Sequence, residues 1–313
     1  MFLFHTLKEY LFPEPTEPEP TEQRKSLRRL VRHGHRLKWF TYIFDCLRLT
    51  EHENLQLRRS CKLFSEALKP FKGTWTSFPH PEYSTLTALF ARFRALSISG
   101  STNIPKLVLI ENGIHDEGGN KVGINMSISI IGESREHCIV LGGLQMNGNG
   151  YINNYVNISN LTVRGSKDYG IEGRGVSIHL DNVSVENSGR DGVDVDGTIH
   201  STMKNCNVSH SKKSGLRVSG DGLMTISGKD TTIHHNCTDG DSWDYGLKTY
   251  SGFDNYSSIH LVSPLTIKDN GGGGNYGGKG TIAIVDNEGT IIETIQKFVL
   301  ETRPNIPPYW YEH

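Results

Sequence analysis

A four-fold internal repeat constrains the fold of this chain more than any other feature of its sequence. A glycine followed by alternating apolar residues recurs in YGIEGRG (169–175), DGVDVDG (191–197), SGLRVSG (214–220) and YGLKTYS (245–251). The repeated glycines are 22, 23 and 31 residues apart, and a second strand-like column recurs in step at 161–163, 183–185, 206–208, 231–233 and 265–267. This period is shorter than the ~40–45 residues of a propeller blade and leaves no room for a crossover helix, so it predicts a solenoid of β-coils.

The spacing also predicts which side chains lie inside the coils. If each coil advances by one strand spacing of ~4.8 Å, equivalent residues stack directly above one another. Ile171, Val193, Leu216 and Leu247 then form one buried apolar ladder. Because parallel connections are right-handed as a rule, the predicted fold is a right-handed, single-stranded parallel β-helix in a mainly β chain.

A helix is predicted immediately before the repeats, over residues 84–97. Ser84 is a suitable N-cap, and apolar residues follow it at helical spacing. They are Leu86, Leu89, Phe90, Phe93 and Leu96. Since a solenoid needs its terminal coils covered, we expect this helix to close the first end of the β-helix.

Composition divides the chain into two parts. Only 3 of the 34 glycines lie in residues 1–100, and the formal charge is +6 there (16 Lys/Arg, 10 Asp/Glu) and −7 in the remainder (17 and 24). A glycine-poor part favours helices, whereas a glycine-rich part favours frequent turns. The predicted order is a Pro/Glu-rich tail (1–23), a small α-helical N-terminal domain (24–75), the β-helix with its capping helix (80–300) and a C-terminal tail (301–313).

Charge and cysteine content limit the compartment and the partners. The whole chain has a formal charge of −1, which predicts no specific nucleic-acid partner, and no apolar run approaches the ~20 residues of a membrane-spanning helix. The start of the sequence lacks the basic segment and cleavage site of a secretory signal. Five scattered cysteines (46, 61, 138, 206 and 237) do not suggest a disulfide framework. We therefore expect a protein of the cytoplasm, the nucleus or both, with no membrane insertion.

Outward positions of the repeated strands supply the candidate site, here called the outward strip. The strip consists of Glu172, Arg174, Asp194, Asp196, Arg217, Lys248 and Tyr250. The simplest interpretation of the strip is an exposed face held by salt bridges. The second is a face that binds a target protein. The third is a pair of catalytic carboxylates, either Glu172 with Asp194 or Asp194 with Asp196. The sequence predicts no catalytic residue, no metal and no cofactor. His210 and His235 are expected to stack near Cys237, which stacked corner residues explain better than a zinc site does.

Two resemblances add expectations. The segment IFDCLRLTEHENLQLRRSCKLFSEAL resembles the later part of an F-box, and this resemblance implies an apolar surface that faces a Skp1-like adaptor. Its residues would be Ile43, Phe44, Leu47, Leu55, Leu57, Cys61 and Phe64. The β-helix half looks like the pectin-lyase-like superfamily, although it lacks the Asn-Thr-Asp, Asp-Asp and Gly-His-Gly motifs of the polygalacturonases.

The arrangement after about residue 40 resembles the F-box only protein 11 family. GINMSISIIGESREHCIVLGG (123–143), NLTVRGSKDYGI (160–171), VENSGRDGVDV (185–195) and the segment 245–282 are more similar to β-helix repeat proteins of large DNA viruses and algae. These resemblances imply a non-enzymatic adaptor, the substrate-recognition subunit of a Skp1–cullin–F-box ubiquitin ligase, whose β-helix binds an unknown target. The alternatives are a β-helix carbohydrate-active enzyme of the lyase or glycosidase kind and a structural or virion-associated repeat protein.

Overall fold

The computed structural model describes residues 75–148, 155–197, 200–250, 256–262 and 264–296. Apart from Trp75, the predicted F-box-like domain (24–75) lies outside these residues, as do its seven Skp1-facing residues and both tails. Within the described ranges the chain is mainly β, with one helix and a β-solenoid of about seven turns. No helix there is both long enough and apolar enough to span a bilayer.

The described residues form twenty strands and one helix, α1 (Leu86–Ile98). The strands are β1 (Trp75–Phe78), β2 (Leu107–Ile110), β3 (Gly113–Ile124), β4 (Ile128–Gly132), β5 (Cys138–Asn147), β6 (Tyr155–Arg164), β7 (Ile171–Arg174), β8 (Ser177–Glu186), β9 (Val193–Asp196), β10 (His200–Lys204), β11 (Asn207–Ser209), β12 (Leu216–Ser219), β13 (Leu223–Ser227), β14 (Thr232–His234), β15 (Leu247–Tyr250), β16 (Ser258–Val262), β17 (Thr266–Lys268), β18 (Tyr276–Gly278), β19 (Thr281–Val285) and β20 (Ile291–Gln296).

Parallel pairing between successive coils arranges these strands on three faces. The first face runs from β1 and β2 through β4, β6, β8, β10, β13 and β16 to β19. The second contains parts of β3, β5, β6 and β8, followed by β11, β14 and β17. The third continues from β5 through β7, β9, β12 and β15 to β18. Among the strands named above, β20 alone pairs antiparallel, with β19.

The predicted apolar ladder lies on the third face. Ile171 pairs in register with Val193, Val193 with Leu216, and Leu216 with Leu247. All four side chains have 0% exposure and belong to one continuous hydrophobic core. The predicted second column is equally regular and lies on the second face. Val185 pairs with Val208, Val208 with Ile233, and Ile233 with Ile267.

Helix α1 packs at the N-terminal end of this core, as predicted. Its buried face consists of Leu86, Leu89, Phe90 and Phe93, all of which join the same core cluster. The N-cap differs from the prediction, because the Thr85 side chain, and not that of Ser84, accepts a hydrogen bond from the backbone N–H of Ala88. Glu117 on β3 adds a second cap, accepting from the backbone N–H of Leu86 at 2.6 Å. A carboxylate at this end is favoured because the first N–H groups of a helix lack partners.

The repeated glycines have a packing role. A Cβ placed on Gly192 would lie 2.5 Å from Val208 Cγ1, 2.7 Å from the carbonyl oxygen of Gly215 and 2.7 Å from Ser211 Oγ. The equivalent Gly170 and Gly215 meet the same kinds of neighbours. The residue therefore must be small because the corner of the next coil approaches its backbone, and not because the backbone needs a left-handed conformation.

We expect Gly192→Ala to lower the free energy of unfolding by about 1–3 kcal/mol, since the added methyl group overlaps atoms of the next coil. Urea unfolding followed by circular dichroism measures the loss. Gly123→Ala on β3 is the matched control, because a Cβ there meets no atom within 4 Å. Equal effects of the two substitutions would contradict the close approach of the coils at Gly192.

Candidate functional site

The structure brings all seven residues of the outward strip onto the third face. Glu172, Asp194, Arg217 and Lys248 are successive register partners and form one column across four coils. Two residues further along the same strands, a second column contains Arg174, Asp196, Ser219 and Tyr250. The predicted order of charges along the strip is therefore confirmed.

The interpretation of the strip as an exposed face is wrong for its two central acids. Glu172 and Asp194 each have 0% exposure, although both point away from the apolar core. Long side chains from neighbouring coils and from the adjacent corner fold over them, as the contacts below show. An outward position on this face is therefore not a solvent-exposed position.

Asp194 is held by a two-point ion pair. Arg217 Nε donates to Asp194 Oδ1 at 2.6 Å and Arg217 Nη2 donates to Asp194 Oδ2 at 3.1 Å. A planar guanidinium matches a carboxylate in this way and fixes both side chains. The same Nε lies 3.9 Å from Asp191 Oδ2, so Arg217 is shared by two acids. Asp191, at 2% exposure, lies immediately before the repeated Gly192.

Glu172 has three partners, two on preceding coils and one on its own strand. Lys121 Nζ on β3 and Gln145 Nε2 on β5 each lie 2.8 Å from Glu172 Oε2, and the Arg174 guanidinium contacts Glu172 Oε1. Lys121 also donates to Asp168 Oδ2 at 2.7 Å. The contact between Lys121 and Glu172 therefore ties the third face to a residue 51 positions earlier in the chain.

Ser214 connects two further acids of the site, Asp191 and Asp244. Its backbone N–H donates to Asp191 Oδ1 at 2.9 Å, and its hydroxyl donates to Asp244 Oδ1 at 3.3 Å. Lys248 Nζ also donates to Asp244 Oδ1, at 2.8 Å. We call the complete set the charged network. It consists of Lys121, Asp168, Glu172, Arg174, Arg190, Asp191, Asp194, Arg217, Asp244 and Lys248.

A buried aromatic ring lies among the cations of this site. The Tyr169 ring centroid is 4.5 Å from the guanidinium carbon of Arg190, 5.3 Å from Lys121 Nζ and 5.9 Å from the guanidinium carbon of Arg217. Tyr169 itself has 3% exposure. Cations near an aromatic face are attracted by its quadrupole, so Tyr169 helps to fix the positive side chains without adding a charge.

Burial changes the titration of the two neighbouring acids. It raises the pKa of Asp191 to about 6, and the negative charge of Asp194 adds to this effect while Arg217 opposes it. Burial also raises the pKa of Asp194, even though the hydrogen bonds and the charge of Arg217 lower it. Removal from water therefore outweighs the ion pair at both carboxyl groups.

The raised pKa of Asp191 predicts how stability depends on pH. The folded chain holds this proton up to about pH 6, whereas the ordinary pKa is 3.8, so stability increases as the pH falls from about 6 toward 4. At pH 7.5 the charged form is disfavoured, and Asp191→Asn should raise the free energy of unfolding there by up to about 3 kcal/mol. It should also reduce the change in stability between pH 5 and 7.5. A variant that is less stable than the wild type at pH 7.5 would contradict this account.

Several members of the network were not singled out by the sequence analysis. Lys121, Asp168 and Asp244 lie outside the aligned repeat segments. Asp191 could have been found, because it directly precedes Gly192 within an aligned segment. Among the described residues, no group of three or more His, Cys, Asp or Glu side chains is arranged to hold a metal ion.

The rim of the site presents large side chains to solvent. Tyr250 is 54% exposed at one end of β15, and Trp243 is 73% exposed in the loop that leads into this strand. The side chain of Arg174 is 53% exposed and that of Arg190 is 44% exposed. The site therefore combines a buried, ion-paired base with an exposed aromatic and basic rim.

Comparison with known proteins identifies the class of the solenoid. Residues 142–293 match a family model described as the right handed beta helix region. Together with the parallel coils, this match supports a right-handed parallel β-helix for the described solenoid. Such regions occur in both enzymes and non-enzymes. Searches of the curated proteins and of the solved structures gave no match.

Proposed function

We propose that this chain is a non-enzymatic protein-interaction adaptor of the cytoplasm or nucleus. Its β-helix would hold a target protein, and the F-box-like segment 24–75 would bind a Skp1-like adaptor of a cullin-based ubiquitin ligase. The ligase part of the proposal depends on the resemblance of residues 43–64 to an F-box, and the target-binding part depends on the third face of the β-helix.

The charged network is the observation that carries the target-binding part. Its central acids already have cationic partners within the chain, Arg217 for Asp194 and Lys121 for Glu172. These ion pairs hold the third face rigid. Stiff repeats present extended surfaces, and Trp, Tyr and Arg are the residue types that dominate binding energy in protein interfaces. The exposed rim of Arg174, Trp243 and Tyr250 supplies these types next to a fixed base.

Direct binding of the purified full chain to purified Skp1 tests the ligase part. We expect a complex in size-exclusion chromatography, and we expect Ile43→Asp combined with Leu47→Asp to abolish it, because both apolar side chains belong to the proposed Skp1-facing set. Tyr250→Ala is the matched control and should leave Skp1 binding unchanged. Failure of the unmodified chain to bind Skp1 would remove the ligase part of the proposal.

A β-helix carbohydrate-active enzyme is the second candidate function. The observation in its favour is the pair Asp191 and Asp194, two neighbouring buried carboxyl groups whose pKa values are raised. Carboxyl groups tuned in this way serve as general acids in glycoside cleavage. Release of reducing ends or unsaturated products from neutral and acidic polysaccharides by the wild type, lost in Asp191→Asn, would favour this function over the adaptor.

A further inference from the structure

Basic side chains gather at the corner between the second and third faces of the solenoid. The chain turns there from β6 into β7, from β8 into β9 and from β11 into β12. Backbone hydrogen bonds stack the three turns, since the Gly189 N–H donates to the carbonyl oxygen of Ser166 at 2.7 Å and the Lys212 N–H donates to that of Ser188 at 2.9 Å. We call the four cations of these turns the basic corner. It consists of Lys167, Arg190, Lys212 and Lys213.

The stacking arranges these cations in two neighbouring columns. Lys167 and Lys212 belong to the first column, and Gly189, which has no side chain, lies between them. Arg190 and Lys213 are neighbours in the second column, where the Lys213 N–H donates to the carbonyl oxygen of Arg190 at 3.2 Å. Since successive coils are ~4.8 Å apart, the basic corner extends about 10 Å along the solenoid axis.

The three lysines of the basic corner are not neutralised within the described part of the chain. No carboxylate there forms an ion pair with Lys167, Lys212 or Lys213. Lys167 and Lys212 are exposed, and Lys213 is half-buried. These ammonium groups therefore differ from those of Lys121 and Lys248, which lie 2.7–2.8 Å from carboxylates of the charged network.

Arg190 is positioned by an aromatic ring more than by a carboxylate. Its guanidinium carbon lies 4.5 Å from the centroid of the Tyr169 ring. Its ion pair with Asp168 is long, with Nε 3.8 Å from Oδ1, and Asp168 already accepts from Lys121 Nζ at 2.7 Å. A guanidinium stacked on a ring keeps N–H donors for a second partner, so Arg190 is preorganised to bind an anion.

The surroundings limit the length of an anion that fits the basic corner. On the next coil the Asp239 N–H donates to the carbonyl oxygen of Lys212 at 3.0 Å, and both Asp239 and Asp241 are exposed. Toward the second face, the His210 ring stacks on that of His235, with centroids 5.4 Å apart and an interplanar angle of 7°, which confirms the predicted stacking. A long polyanion would extend from the cations onto these carboxylates, whereas a short acidic segment would not.

We propose that the basic corner binds a short acidic segment of the protein that the β-helix holds. This inference rests on the proposed adaptor function and adds the chemistry of the target to it. An extended segment places the side chains of one side about 7 Å apart, so two carboxylates can meet cations spread over about 10 Å. Charge-assisted hydrogen bonds from lysine and arginine would hold them. Trp243, exposed in the equivalent turn of the next coil, offers an apolar contact beside the cations.

Fluorescence anisotropy of a labelled hexaglutamate peptide, titrated with the purified full chain at about 50 mM salt, tests the proposal. We expect saturable binding that weakens as the salt concentration increases, and no binding of labelled hexaglutamine. Lys167→Gln, Arg190→Gln and Lys212→Gln combined should weaken binding about tenfold, because each lost ion pair of this exposed kind accounts for up to about fivefold.

Lys106→Gln, Lys204→Gln and Lys229→Gln combined form the matched control. These exposed lysines lie in or next to strands of the first face, so the variant has the same net charge and keeps the basic corner. It should bind hexaglutamate as the wild type does. Circular dichroism checks that both triple variants are folded. If the loss of Arg190 unfolds the chain, Lys212→Gln combined with Lys213→Gln replaces that variant and should weaken binding about fivefold.

Each outcome decides between assignments. Absence of hexaglutamate binding to the wild type would overturn the proposal, as would equal weakening in the two triple variants. Tighter binding of a twelve-residue single-stranded oligothymidine than of hexaglutamate would overturn the assignment to an acidic peptide. Skp1 takes no part in these titrations, so a chain that binds Skp1 but not hexaglutamate loses this inference alone. A chain that binds hexaglutamate but not Skp1 loses only the ligase part of the proposed function.

Discussion

Replacing Arg217 with methionine is expected to lower the free energy of unfolding at pH 7.5 by about 3–5 kcal/mol, because removing one partner leaves buried charge uncompensated. Asp194 has 0% exposure and Asp191 has 2%, and Arg217 is the cation nearest to both in the structure. The loss should be smaller at pH 5, since protonation of Asp191, whose pKa is about 6, removes part of the charge that Arg217 neutralises. Urea unfolding at both pH values measures the effect.

Two further variants identify the cause of that loss. Arg174→Met removes an arginine that is half exposed, while Glu172 keeps Lys121 and Gln145, so its cost should be below about 1 kcal/mol. Adding Asp194→Asn to Arg217→Met should recover part of the stability, because the stranded charge is then gone. Equal losses for the two arginine variants, or no recovery in the double variant, would contradict the buried ion pair.

Leu216→Ala is expected to cost about 2–5 kcal/mol, as large-to-small substitutions in packed cores do. Leu216 has 0% exposure and lies in register between Val193 on the coil below and Leu247 on the coil above. Truncation therefore leaves a cavity that neither neighbour can fill without breaking the register of its own strand. Thermal and urea unfolding should both show the decrease.

The same substitution at a nearby position provides the control. Leu223 is the first residue of β13 on the adjacent face and is only partly buried, so Leu223→Ala should cost less than about 1 kcal/mol. Similar costs for the two leucines would mean that Leu216 does not lie inside a stacked ladder.

Two of the three faces could be predicted from the sequence, because their apolar residues recur in register and polar corner residues separate the strands. The first face was not identified, although its inward Ile158, Leu180, Met203 and Ile226 are 22, 23 and 23 residues apart. No glycine accompanies this column, and its outward positions vary from coil to coil. Periodicity alone is a weak signal for a strand with one such variable face.

The candidate site could be predicted in position but not in burial. The alternation of strands places Glu172 and Asp194 outward, and this part of the prediction is correct. Their burial depends on Lys121, which lies outside the repeats, and on Arg217 bending across to the preceding coil. Contacts of this kind depend on side-chain conformation and on distant residues, neither of which a repeat pattern contains.

Disulfide formation between stacked positions tests the central claim, that successive coils lie in the described register. Thr202 on β10 and Thr225 on β13 are register partners on the first face, so the variant with cysteine at both positions should form a disulfide on mild oxidation, identified by peptide mapping. Cysteines at Thr202 and Ser227 form the control, because Ser227 pairs with Lys204 and its Cα should lie about 8 Å from that of Thr202, beyond the usual disulfide range. The account predicts a cross-link only in the first variant. Efficient cross-linking of the second variant would contradict the described register, and so would the absence of a cross-link in both variants.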